Sequence, residues 1–147
     1  MSAFAAGGAG FLLAVLWMDL MFDVQVRGAV DGPDTGLASI QAYYARVTTA
    51  ARPMNRLIGA AMLATLAAIV VEIAQGTGPA WLPWLSLGLA GTAVGLAAAR
   101  TVPAAMRLGA GSESRETNLA LARAVLGQHL YCFAAVACLL AIQLGWG

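Results

Sequence analysis

The sequence predicts an all-α fold, an integral membrane bundle of four helices with an amphipathic helix between the first and second spans. Three observations carry that reading. The chain is 61% hydrophobic and only 10% charged, with mean hydropathy +0.79, far from the quarter or so of charged residues usual in a soluble domain. A hydrocarbon layer about 30 Å thick takes roughly 20 helical residues, and the 147 residues hold four such apolar stretches but not six. Finally, all eight basic residues are arginines, confined to residues 27–56 and 100–123. Lipid offers the backbone no hydrogen-bonding partner, so each span is expected to be helical, and the Ala/Gly/Leu-rich runs lack the alternation of a barrel strand.

The spans fall at about residues 3–23, 54–74, 79–99 and 119–145, within a single domain. The first is interrupted only by Asp19, with Asp23 at its end. It is too long for a signal h-region and has no basic n-region, so it is read as retained. The second has an uncharged core only at residues 57–71, about 22 Å of helix. Arg56 and Glu72 must therefore snorkel outward or find partners inside the protein. The third carries no charge. The fourth has a water-soluble start, in which Ser112 or Ser114 can cap and Glu113 and Glu116 suit a helix N-terminus.

Charged and uncharged connections alternate. Arginines crowd the first and third loops, whereas residues 75–78 have none. The positive-inside rule then places both charged loops in the cytoplasm of a bacterial-type inner (plasma) membrane, with both termini outside and Trp81, Trp84 and Trp146 at the outer interface. Within the first loop, residues 28–36 read as a turn region. From Leu37 onward Ile40, Tyr43 or Tyr44, and Val47 fall on one helical face, the pattern of an amphipathic surface helix. Pro53 suits either the first turn of the next helix or a bend before it, and a bend is favoured. Small residues at Gly59–Ala61, Ala64, Gly88, Gly91, Gly95 and Gly127 are expected to let helices of the bundle approach closely.

Ionisable groups within spans are costly unless paired or wetted, which makes them the most informative residues. Asp19 and Asp23, four apart, line up along one helix edge. Arg52 and Arg56 form a second such pair at the same depth, joined by Asn55, Arg100 and Arg123. Two readings follow. In one, the acids neutralise Arg56 and a second arginine and fix helix register. In the other, these seven residues form a polar ligand-binding pocket in the cytoplasmic leaflet, where arginines hold an anionic headgroup and an aspartate handles protons. His129, ten residues beyond Leu119, is expected about 15 Å deep, as a neutral ring bonded to a facing helix or as a proton relay. Asp19 and His129 are the catalytic candidates.

Other chemistries are set aside. Cys132 and Cys138 are six apart and form no C-x-x-C pair, so thiol–disulfide exchange is not indicated. One histidine cannot supply two haem ligands, and no zinc or di-metal spacing is present, so no metal and no cofactor is expected. The partners implied are membrane lipid and a second copy of the chain, with nothing pointing to nucleic acid. Three function classes remain: ligand binding or transport at the charged cluster, a membrane enzyme acting on a lipophilic or lipid-headgroup substrate, and a non-catalytic assembly subunit. The direction in which Asp19 points separates them: a subunit interface, a cavity or a bonded arginine, in that order.

Overall fold

The computed structural model describes residues 2–28, 35–76 and 78–146, and among these every regular element is helical. α1 (Ser2–Asp23) ends in a 3-10 turn, Val24–Arg27. It is followed by α2 (Thr35–Thr49), α3 (Arg52–Gln75), α4 (Trp81–Leu96), α5 (Val102–Ala110) and α6 (Arg115–Trp146). Four helical stretches, the third running through α4 and α5, are long and apolar enough to cross a membrane. Most of the expected turn region of the first loop, residues 29–34, lies outside the described residues, as do Thr77 and the side chains of Arg52 and Trp146.

The helices differ in length, and that difference shapes the molecule. α4 continues through a π-turn, Ala97–Thr101, into α5, so the helix expected to end near residue 99 runs on to Ala110 and the predicted loop shrinks to residues 111–114. Pro103 explains the π-turn: its ring lacks an N–H and crowds the carbonyl four residues back, and a widened turn just before it relieves the crowding. Gly111, at φ 63°, ends α5 in the left-handed conformation that glycine adopts at least cost. Ser114 then caps α6, its Oγ accepting the Thr117 amide at 3.2 Å, as the sequence suggested. Glu113 is used differently and bonds Arg107 at 2.8 Å.

The window 81–110 has 30 residues and 115–145 has 31, each about 15 Å longer than a hydrocarbon core requires. The surplus forms a second core. Ala5, Ala9, Leu12, Ile69, Ala93, Val136 and Leu139 belong to the bundle proper. Leu37, Ile40 and Tyr44 of α2 pack instead with Ala105 and Leu108 of α5 and Leu119, Ala122 and Val125 of α6. The amphipathic helix is thus present, starting two residues earlier than expected, but its apolar face covers α5 rather than lying on a lipid surface. Between α2 and α3 the chain breaks at Ala51 (φ −85°, ψ 31°), and Pro53 sits in the first turn of α3. The bend is made by that turn and not by a proline kink.

The glycine expectations need correcting. Gly88, Gly91, Gly95 and Gly127 are exposed, and a methyl group built on any of them, or on Gly59, meets nothing within 4 Å. Ala64 is exposed as well, whereas Ala61 packs against the bundle core. α4 buries Ser86, Ala90 and Ala93, a stripe turned away from the glycines; four-residue spacing identifies a face but not which face turns inward. The close approaches occur elsewhere, at Gly8 against Thr65 and at Gly109, where a methyl would stand 2.7 Å from the backbone of Tyr44 and Ala45. Gly109→Ala should therefore destabilise the fold by about 1–3 kcal/mol through overpacking and loosen α2, whereas Gly91→Ala should be neutral or gain up to about 1 kcal/mol from helix propensity. Thermal unfolding of the two purified variants checks this, and equal shifts would contradict the α2–α5 packing.

Candidate functional site

The first two candidates meet where the two cores join. Asp19 and Asp23 lie one turn apart and both face inward. Asp23 is 1% exposed and its carboxylate is held from two sides: Tyr44 Oη donates to Oδ1 at 2.6 Å, and His129 Nδ1 donates to Oδ2 at 2.6 Å. Asp19 Oδ1 accepts from Tyr43 Oη at 2.5 Å. Its other oxygen stands 3.9 Å from His129 Nε2, beyond direct hydrogen bonding. Stacking of Tyr43 on Phe22, centroids 4.1 Å apart, fastens α2 to α1 beside these bonds. Neighbouring tyrosines thus satisfy acids one helical turn apart, because α2 crosses the end of α1.

His129 is level with Asp23, the last residue of α1. Leu119, ten residues earlier on α6, belongs to the core with α2 and α5. The arginines also need correction. Among the described residues, the hydrogen bonds and ion pairs of Asp19 and Asp23 go to Tyr43, Tyr44 and His129. Arg56, Arg100 and Arg123 have exposed side chains. A guanidinium that can reach water at a helix end avoids the desolvation that pairing inside would demand. Asn55 is exposed and donates to the Val47 carbonyl at 2.6 Å, tying α3 to α2.

A cavity of about 360 Å³ opens beside the cluster. Its wall is aliphatic, including Leu12, Leu16, Ile58, Met62, Val94 and Val136, and Asp19 and His129 both line it. Asn55, Thr48, Tyr44 and Thr101 complete its polar part. Asp23 does not line it; its place is behind the imidazole. With Nδ1 directed to Asp23, Nε2 is the ring nitrogen that faces the Asp19 side. Of the remaining candidates, Cys132 also lines the cavity and Cys138 is exposed. Met18, Met21 and Met54 are exposed. Comparison of this chain with protein-family models, with curated proteins and with solved structures finds no match.

A second polar cluster surrounds Glu72. Of its two alternatives, outward reach or partners inside the protein, the second is found: Glu72 is buried, and Gln143 Nε2 donates to its Oε2 at 3.1 Å and to Ser86 Oγ at 3.1 Å. The sequence signal was present as single polar residues in three apolar helices, but nothing in it paired them.

Burial, then the hydrogen bond and charge of Asp19, hold the Tyr43 hydroxyl well above its ordinary value; burial, then the charge of Asp23 and the bond to it, do the same for Tyr44. A raised native-state value means that unfolding releases protons at high pH. Stability should therefore hold up to about pH 10 and fall above it. The chain has no lysine to obscure this. Denaturant titrations across pH 8–12 (a range of about the tyrosine reference value) should show a shallower decline in Tyr44→Phe; an unchanged slope would remove Tyr44 from the cluster. Asp23→Asn, which breaks a fully buried pair, should cost on the order of 3 kcal/mol. Asp19→Asn should cost less, about 1–2 kcal/mol; the reverse order in chemical denaturation would contradict the geometry.

Proposed function

We propose that the protein binds a lipophilic small molecule inside the bundle and exchanges a proton with it at Asp19 and His129. The observation that carries this is the opening of both side chains onto one cavity whose wall is otherwise largely aliphatic. Small-molecule sites have this make-up: mostly apolar lining with a few convergent polar groups. In the step envisaged, an O–H or N–H of the ligand gives its proton to Nε2, and Asp23 stabilises the resulting imidazolium from the Nδ1 side. Asp19, 3.9 Å from Nε2, leaves space for a ligand atom that touches both.

This reading favours a membrane enzyme or carrier for lipophilic molecules over an anion clamp, since the described arginine side chains are not on the cavity wall. It also favours both over an assembly subunit, because among the described side chains Asp19 bonds Tyr43 and no arginine. The positive-inside rule supports placing the arginine-rich end, and the site with it, on the cytoplasmic side of a bacterial-type inner membrane.

Gly59 lines the cavity, and a side chain there meets nothing within 4 Å of its first carbon. Gly59→Leu should fill the space and, by helix propensity, keep or raise thermal stability by up to about 1 kcal/mol. Native mass spectrometry of protein released gently from the membrane should show an apolar adduct on the wild type that this variant lacks. The same adduct at the same occupancy on both proteins would sink the proposal.

A further inference from the structure

The polar atoms of the cavity wall are unequal in what they can offer a ligand. Tyr44 gives its hydroxyl hydrogen to Asp23 at 2.6 Å, Thr48 gives its own to the Tyr44 carbonyl at 2.7 Å, and Thr101 turns its hydroxyl to the Leu96 carbonyl at 3.5 Å. Asn55 commits an amide hydrogen to Val47 O at 2.6 Å. Donor hydrogens on this wall are thus largely spent on the protein itself, and what remains toward the cavity is acceptor capacity: the second carboxylate oxygen of Asp19, the lone pairs of the threonine hydroxyls and, with Nδ1 turned to Asp23, the ring nitrogen Nε2 of His129. The charge balance has the same sign. Two carboxyl groups share one imidazole, so even with His129 protonated the fully ionised cluster carries one negative charge more than it neutralises. No arginine lies on the wall among the described side chains.

From this we infer that the ligand class is a lipophilic cation, an apolar body bearing one positive charge, that seats its charge beside Asp19. The inference rests on the cavity-binding reading and deepens it. An anion would meet a wall of acceptors and an unbalanced carboxylate in low dielectric, where charge interactions are strong. A cation supplies the charge that the cluster lacks.

Tetraphenylphosphonium and tetraphenylborate test this, because they share shape and apolar surface and differ in sign. Titration calorimetry of the detergent-solubilised full chain should give phosphonium at least about a tenfold lower Kd than borate, about 1.4 kcal/mol. Asp19→Asn should bring the two Kd values together, and Gly59→Leu should abolish binding of the phosphonium. Should Asp19→Asn fail to fold, the wild-type ratio and Gly59→Leu decide the matter. Equal or borate-favoured binding that Gly59→Leu removes would overturn the cation inference and leave the cavity reading standing. No binding of either ion to the wild type would overturn both. A phosphonium preference that persists in Asp19→Asn would overturn the assignment of Asp19.

Discussion

The structure depends on one buried carboxylate. Asp23 takes hydrogen bonds from Tyr44 on α2 and His129 on α6, so three helices converge on a side chain that is almost completely buried. A lone carboxylate in that position would be prohibitive; with two donors on its two oxygens it becomes a fixed point. It also lies where the bundle core gives way to the smaller core built from α2, α5 and the first half of α6. The cavity-facing edge of His129 takes its place from it.

The four spans, the capping of α6 by Ser114 and the face of α2 were legible in the sequence because each is a local property: hydropathy over about 20 residues, a side chain three residues before an amide, apolar residues at helical spacing. The inward turn of Asp19 and Asp23 was legible too, since four-residue spacing puts them on one edge and lipid forbids leaving them outside. Their partners were not. Charge complementarity pointed to Arg52, Arg56, Arg100 and Arg123, but the exposed members of that set reach water more cheaply than they can be buried. The aspartates are satisfied by neutral hydroxyls and an imidazole, whose positions depend on where α2 crosses α1.

Another misreading concerns helix length. The end of the third span was set at the first arginine. That assumed a helix of membrane length, whereas α4–α5 runs on to Ala110 and packs with α2. The glycines of α4 were misread because spacing carries no information about azimuth; burial of Ser86, Ala90 and Ala93 settles the facing side. Glu72, Gln143 and Ser86 meet only in three dimensions.

Tyr43 and Tyr44 couple a helix outside the spans to the ring inside. α2 is fixed to the rest by phenol–carboxylate bonds, the Phe22 stack and the backbone contact at Gly109, with its entry and exit through short connecting stretches. A pull on that one segment, from a neighbouring protein or from the lipid headgroups, would reach the imidazole through a single intervening carboxylate. The chain thus carries a mechanical handle on its buried imidazole, on the side where its arginines gather.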